Sequence, residues 1–330
     1  MKNKKILMVG GAGYIGSHCV KYMRRNGYDA TVMDNFSTGH AESIKGVSLV
    51  QADLRIREDC RRALATGPYD AVFHFAAFCA IGESVKEPAK YYENNVVGTF
   101  YLLDEMRKAG VSRFIFSSTC ATFGVPERIP IDEGQRQWPV NPYGWTKLDV
   151  EIMLEHFRQA YGLSYSILRY FNAAGADPEG ELGEEHPQEG HLIPCVIFKA
   201  LGRRKSLTIF GNDYPTPDGT CVRDYIHVMD LAEAHRLAME RMSPGSGDAF
   251  HLGNGNGYSN LEVIRCVESI SGAKVDFEYG PRREGDPPLL IGDSSRANEI
   301  LGWKPKYPEL ETIVKTAYDW HSKHPKGYKS

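Results

Sequence analysis

The sequence predicts an α/β fold: a doubly wound parallel sheet followed by a smaller, mixed α/β C-terminal domain. Three observations predict it. Short β-rich runs alternate with helical patterns through the first half of the 330 residues, which argues for strands side by side in one parallel sheet with helices on both faces. A glycine-rich turn stands between the first strand pattern and the first helix pattern. A Gly-, Pro- and Glu-rich stretch from Asn172 to Pro194 separates this regular half from shorter, mixed elements.

KILMVG supplies an apolar strand and YIGSHCVKYMRRNG the helix after it. DATVMDN, VSLVQAD and YDAVFHFAA are further strands, the first two carrying carboxylates near their ends at Asp34 and Asp53. A long helical stretch runs from Pro88 to Lys108, RFIFSST is the next strand, a helix begins near Tyr143 just after a proline, and SYSILRYF is another buried strand. Past Pro194 come a helix over Cys195–Leu201, a strand at LTIFG, a helix through MDLAEAHRLAMERM, a strand at AFHLGN and further helices. The expected division is a first domain over residues 1–175, with part of 222–240 packing back onto it, and a second over 176–330. A ligand would lie between them, because doubly wound sheets bind outside the carboxyl ends of their strands.

With 42% hydrophobic and 25% charged residues the chain can fill a large core. Its net charge of -3 exerts no general pull on nucleic acid or an anionic membrane, so a small molecule is the expected partner. The seven cysteines, at 19, 60, 79, 120, 195, 221 and 266, show no CxxC spacing and read as reduced thiols of a cytoplasmic protein. Glycines break the apolar run of MKNKKILMVGGAGYIG after about five residues, too soon for a signal peptide. No stretch offers the ~20 apolar residues of a membrane span.

Gly10-Gly11-Ala12-Gly13-Tyr14-Ile15-Gly16 joins the first strand to the first helix, the context in which a GxGxxG sequence marks a dinucleotide site of the Rossmann type. Gly11 and Gly13 permit the tight turn and close approach of a pyrophosphate, Gly16 lets helix and strand pack, and the helix N-terminus faces the phosphates. Asp34 stands where such sites accept hydrogen bonds from a ribose diol. No Arg or Lys follows it until Lys45, which favours NAD over NADP. Asp53 is placed to hold the adenine.

VNPYGWTKLDVE sets Tyr143 and Lys147 four residues apart on a helix, hence on one face and about 6 Å from each other. Lys147 is expected beneath the Tyr143 ring oxygen, where a cation favours the phenolate. Bringing a tyrosine from ~10 to about 7 takes roughly 4 kcal/mol.

With the glycine turn, SSTCATFG after a strand and YGWTK on a helix, the chain resembles the extended short-chain dehydrogenase/reductase family and, within it, the UDP-sugar 4-epimerases. The likeness runs almost end to end, through GGAGYIGSH, HFAAFCAIGESV, YYENNVVGT, FIFSSTCATFG, NPYGWTK, LRYFNAAGA, GNDYPTPDGTCVRDYIHVMDLA and PRREGDPP. It implies an isomerase of galactose metabolism that interconverts UDP-glucose and UDP-galactose with NAD, through a 4-keto intermediate. Tyr143 would be the acid/base, Lys147 its partner on the nicotinamide ribose, and Thr119 a hydroxyl contacting the sugar and Tyr143. Gly10, Gly13, Tyr14, Ile15, Gly16, Asp34, Asn35, Asp53, Leu54, Phe75, Ala76, Ala77, Asn94 and Tyr170 fall where the family binds NAD. Asn172, Leu192, Phe210, Arg223, Tyr225, Arg283 and Asp286 fall where it binds the UDP-sugar, and two arginines suit a pyrophosphate. A homodimer packed through the Pro88–Lys108 and Tyr143–Tyr161 segments is also implied, with Leu102, Leu103, Met106, Met153 and Leu154 available to the contact.

The chain departs from some relatives. Cys79 replaces a lysine that contacts the cofactor, His191 replaces an asparagine near the uridine, and Leu290 stands at the position lining the far side of the sugar, often a tyrosine. UDP-arabinose, UDP-xylose and UDP-N-acetylglucosamine are therefore alternative substrates, and a non-catalytic NAD-binding regulator is the remote alternative. Related dehydratases and decarboxylases need carboxylates just after the active-site Thr or Ser, whereas Thr119 is followed by Cys120-Ala121-Thr122. Nothing nearby would activate Cys120 as a nucleophile. His74 reads as a core histidine, and GEEHPQEGH as a solvated loop face with no metal expected.

Overall fold

Seven parallel strands form the main sheet of the computed structural model, which describes residues 4–283 and 286–328. In chain order the elements are β1 (Lys5–Val9), α1 (Tyr14–Arg25), β2 (Asp29–Asp34), β3 (Ser48–Gln51), α2 (Arg57–Ala65), β4 (Ala71–His74), α3 (Ile81–Lys86), α4 (Pro88–Tyr91), α5 (Thr99–Lys108), β5 (Arg113–Thr119), α6 (Pro142–Tyr161) and β6 (Ser164–Tyr170). They continue with β7 (Asn172–Ala174), α7 (Leu192–Ala200), β8 (Thr208–Phe210), β9 (Val222–His227), α8 (Val228–Arg241), β10 (Gly247–Leu252), β11 (Gly257–Ser259), α9 (Asn260–Ser271), β12 (Glu278–Gly280), β13 (Leu289–Leu290), α10 (Ser295–Leu301) and α11 (Leu310–Lys323). The sheet order is β10-β6-β5-β4-β1-β2-β3.

Successive side chains of a strand point to opposite faces. Ile6 and Met8 therefore join Val32, Phe73, Ile115 and Leu168 in the core under α1 and α8, while Leu7 and Val9 join Val72, Phe114, Phe116 and Ile167 in the core under α2, α5 and α6. Burial on both sides is why these strands read as nearly continuous apolar runs.

One strand lies elsewhere than its position in the chain suggests. AFHLGN falls within the expected second domain, yet β10 pairs in parallel with β6, Gly247 opposite Tyr165 through Leu252 opposite Tyr170. The helix before it, α8, packs on α1. Strand partners are chosen by non-local packing, which the local pattern does not contain. Helix α10 joins α8 and β10, with Ala297 and Leu301 in the core under α1 and α8, while α7, α9 and α11 form a separate core around Ile193, Val196, Ile209, Val263 and Ile313. A small sheet of β11, β9 and β13 is joined along β9 by β7, which follows the carboxyl end of β6.

The helical stretch from Pro88 to Lys108 holds, but a π-helical turn at Tyr92–Gly98 separates α4 from α5. Such turns occur often at functional sites, and this one turns Asn94 and Asn95 into the interior. Leu102, Leu103, Met106 and Leu154, assigned to a subunit contact, are instead core residues beneath the sheet, because the sheet-facing stripe of each helix uses them. The exposed apolar residues of these segments are Tyr92, Val97, Phe100, Ile152 and Tyr161.

Candidate active site

The glycine turn is built by close approach. Gly10 has φ 77°, and a Cβ there would come within 2.4 Å of the Ala76 nitrogen, so the turn is sealed against the residues following β4. A Cβ on Gly16 would strike the Gly10 carbonyl oxygen at 2.3 Å, which holds the first turn of α1 on the loop. Gly11 packs on β2, where its Cβ would meet the Val32 side chain at 2.9 Å. Gly13 is different: a Cβ there would find only the Gly10 oxygen, at 3.5 Å. It is also the N-cap of α1 and offers no side chain to the first N–H groups. Open backbone, free N–H donors and the positive end of a helix dipole together suit a pyrophosphate.

Gly10, Gly13, Asp34, Asn35, Leu54, Phe75, Ala76, Ala77 and Asn94 line one cleft at the carboxyl ends of β1, β2 and β4. Ser37, Thr38 and Phe78 also line it and carry no motif that marks them. Asp34 is fixed by accepting from the Ala12 nitrogen at 2.9 Å and the Phe36 nitrogen at 2.8 Å. Burial pushes its carboxyl up. The Asp53 carboxylate is already matched: Arg55 donates to it at 3.0 and 2.7 Å and Asn35 at 3.0 Å, and it is held down at about 2. Tyr14 turns away from the cleft and donates to the Gly175 carbonyl at 2.6 Å, and Ile15 packs on the core. The buried Tyr170 hydroxyl, at the end of β6, lies beside the Ser117 hydroxyl but makes no hydrogen bond of good geometry among the described residues. The open Gly13 backbone, the uncapped helix end, Asp34 and this hydroxyl fit a bound dinucleotide.

Thr119 ends β5, and Tyr143 and Lys147 lie on the first turns of α6. The helix starts sharply, with Pro142 at its first position and the Asn141 side chain accepting from the Gly144 nitrogen at 2.9 Å. Gly144 lets it approach the turn after β5, since a Cβ there would lie 2.6 Å from the Ala121 oxygen. The Tyr143 phenol then meets the Thr119 hydroxyl, which favours its ionisation, while burial raises its pKa well above the ordinary value. Lys147 is buried, and burial lowers it to about 8. Its Nζ donates to the Ser117 carbonyl at 2.7 Å, and among the described residues no hydrogen bond joins it to the phenol. The shared helix face is as expected, but the nearest acceptor comes from β5, an apposition that helix spacing alone does not contain. Cys79 lies close enough to act on both Tyr143 and Lys147.

The facing residues come from the second sheet. Register sets Asn172 opposite Tyr225 and Leu290 opposite Arg223. Arg223 pairs with Asp286 and also donates to the Pro287 carbonyl at 2.9 Å. Its neighbour Asp224 points the other way into backbone N–H groups. The Arg283 guanidinium lies 4.2 Å from the centre of the Phe210 ring. Leu290 packs on Cys120, Phe123, Ile131 and Phe171, and the Arg223 charge reaches the Cys120 thiol, so this face adjoins the turn after Thr119. Burial holds Cys120 up at about 12, consistent with an inert thiol. His191 and Leu192 stand at the start of α7: the His191 ring engages Glu184, and Leu192 packs on the C-terminal core, which also contains Tyr225 of β9.

Two supporting networks carry no local sequence signal. Glu151, one turn beyond Lys147, binds the Arg169 guanidinium at 3.0 and 2.6 Å, accepts from Ser118 and Gln137, and so ties α6 to β5 and β6. Asn95 accepts from the Phe78 nitrogen and donates to the Phe78 carbonyl and the Thr146 hydroxyl, which joins the cleft wall to α6. Each unites residues far apart in the chain. His74 is the expected core histidine, with Thr99 against its Nε2 at 3.0 Å.

A dinucleotide cleft flanked by Thr, Tyr and Lys at the carboxyl edge of a parallel sheet defines an NAD-dependent enzyme of the short-chain type. The chain belongs to the NAD dependent epimerase/dehydratase family, whose sequence profile matches residues 6–253. Among individual proteins, it is 51% identical to the UDP-glucose 4-epimerase of Halalkalibacterium halodurans, over 98% of this chain and 97% of that one. The structure of UDP-glucose 4-epimerase from Brucella ovis in complex with NAD superposes with a TM-score of 0.92 at 48% identity, covering 96% of this chain and 98% of that chain. The UDP-glucose 4-epimerase from Bifidobacterium longum, in complex with NAD+ and UDP, superposes with a TM-score of 0.94 at 36% identity, covering 98% and 100%.

Proposed function

We propose that the chain interconverts UDP-glucose and UDP-galactose by inverting the sugar at C4, with NAD in the cleft along β1, β2 and β4. The observation that supports this reading is the grouping of Thr119, Tyr143 and Lys147 at the end of β5 and the start of α6, with Leu290 packed on the turn after Thr119 and Arg223 paired with Asp286. NAD held there would supply a reversible acceptor for the hydride at C4 of the sugar.

Tyr143 removes the proton from the 4-hydroxyl and later restores it. Thr119 holds that oxygen beside the phenol. Lys147, anchored on Ser117, supplies positive charge next to the ring and reaches the nicotinamide ribose. Gly10, Gly13, Gly16, Asp34, Asn35 and Asn94 bind the dinucleotide with the cleft walls around them, while Asn172, Phe210, Tyr225 and Arg283 join Arg223 and Asp286 on the UDP. With UDP fixed by these residues, a 4-keto sugar would be left free to present either face to the cleft, as inversion at C4 requires. The reaction is redox-neutral, so the cofactor need not leave.

In functional terms the chain divides into an NAD-binding part, residues 1–175 with α8 and β10, and a UDP-sugar-binding part made by the rest. A cytoplasmic homodimer completes the reading. All seven cysteines are free, and Tyr92, Val97, Phe100, Ile152 and Tyr161 form exposed apolar surface on the helices implied in the contact.

The test is proton NMR of the purified protein with UDP-glucose and no added cofactor, following the anomeric signals. Growth of UDP-galactose to a steady mixture is expected. No change, even after NAD is added, would overturn the hexose assignment, and UDP-xylose and UDP-N-acetylglucosamine would be tried next.

A further inference from the structure

We propose that Glu184, His186, Glu189 and His191 bind one divalent transition-metal ion of the zinc class. This goes beyond the epimerase reading and does not rest on it. The sequence suggests a solvated loop face here, but the two glutamate side chains are only 3% and 6% exposed. Among the described residues, neither forms an ion pair with a lysine or arginine; the two histidine rings face them, and the His191 backbone nitrogen donates to Glu189 Oε1 at 2.8 Å. Buried carboxylates call for a cation close by.

Three of the separations fit an ion, and the direct contact between His191 Nδ1 and Glu184 Oε1 would open to admit one. Bonds of ~2.0–2.2 Å at tetrahedral angles put neighbouring donor atoms about 3.3–3.5 Å apart. His186 Nδ1 lies 3.2 Å from Glu189 Oε2 and 3.4 Å from Glu184 Oε1, and His191 Nδ1 lies 3.8 Å from Glu189 Oε1. His191 Nδ1 also contacts Glu184 Oε1 directly, and one donor atom from each of the four residues falls within 4.8 Å of all the others. Two imidazole nitrogens and two carboxylate oxygens neutralise a divalent ion and suit zinc, cobalt or nickel better than calcium or magnesium.

The loop is held in place for this. A Cβ on Gly183 would lie 2.0 Å from the Trp320 ring, and the Tyr328 hydroxyl bonds both the nitrogen and the oxygen of Gly183 at 3.0 Å. The far end runs directly into α7. His191, more than half exposed, leaves a route inward. The neighbouring group of Asp177, Glu179 and Glu181 differs, because Lys21 and Arg25 already occupy it. The Tyr14 ring lies 6.4 Å from that of His186, so an ion would brace the loop against the glycine turn.

The experiment uses NAD-loaded protein stripped with a chelator, titrated with zinc in a calorimeter and with cobalt(II) in a spectrophotometer. One ion per chain is expected, with cobalt giving the strong visible bands of a four-coordinate nitrogen and oxygen site, without the thiolate charge transfer Cys195 would produce. Glu189→Gln and His186→Asn should each weaken zinc binding at least about 10-fold. Absence of stoichiometric binding, equal binding by the variants, or a six-coordinate cobalt spectrum would overturn the proposal. The wild-type spectrum decides the matter if both variants fail to fold.

Discussion

Lys147 hydrogen-bonds the Ser117 carbonyl at 2.7 Å, so the charge at the start of α6 is anchored to β5 rather than to the phenol of Tyr143. Burial raises Tyr143 and lowers Lys147 to about 8, so the phenol is held in its neutral form while the lysine keeps most of its charge at neutral pH. Tyr143→Phe should cut turnover by about 10²–10⁴-fold while NAD binding is retained, as read by cofactor fluorescence and steady-state kinetics. Near-normal turnover would remove Tyr143 from the proton path.

The glycine turn separates a packing role from a binding role. Gly13→Ala should fold with little change in Tm but bind NAD more weakly, because its methyl enters open cleft. Gly16→Ala should lower Tm itself, since its methyl meets backbone at 2.3 Å. Melting curves and NAD titrations of the two variants would distinguish them, and an equal Tm loss in both would contradict the assignment.

Glu151→Ala leaves the Arg169 guanidinium buried without its carboxylate. Breaking a buried pair in this way typically costs about 3–5 kcal/mol. Guanidinium unfolding of the variant should show a loss of that size. A loss below about 1 kcal/mol would mean that the pair does not hold α6 to the sheet.

Asp224 accepts from the Asn254, Gly255 and Gly292 nitrogens at 2.8, 3.0 and 3.2 Å, yet burial raises its carboxyl from 3.8 to about 6. Between those values the folded state keeps a proton that the unfolded chain has released. Its contribution to stability is therefore complete below about pH 4 and declines as pH rises to about 6, by ~3 kcal/mol for a shift of roughly two units. Asp224→Asn removes this titration, so its Tm should climb more steeply from pH 4 to pH 6 than that of the wild type. Parallel curves would show that Asp224 titrates normally.

Phe100→Glu, on the exposed side of α5, should turn a dimer into monomers in sedimentation velocity while leaving the core intact. Losing one aromatic anchor commonly costs about 2 kcal/mol or more, roughly 30-fold in a dimer constant. A wild-type chain that sediments as a monomer would overturn the homodimer.

What could be read from the sequence was local. The apolar runs of β1, β4 and β6, the glycine turn before α1 and the Tyr143–Lys147 face each follow from spacing or residue chemistry within a short window. What could not be read depended on distant partners. β10 chose β6, Glu151 chose Arg169, and Lys147 met Ser117 because β5 lies beneath α6. The polar loop at Glu184–His191 looked solvated because Trp320 and Tyr328, which fix its start, come from the other end of the chain.

The pairing of β10 with β6 also orders events during synthesis. Until Gly247–Leu252 leave the ribosome, β6 presents an unpaired row of backbone groups, the kind of edge on which nascent chains associate wrongly. A fragment ending near residue 175 would carry that sticky edge permanently. The nucleotide-binding half thus cannot be cut free at its apparent boundary, and maturation of the sheet waits on the second half of translation.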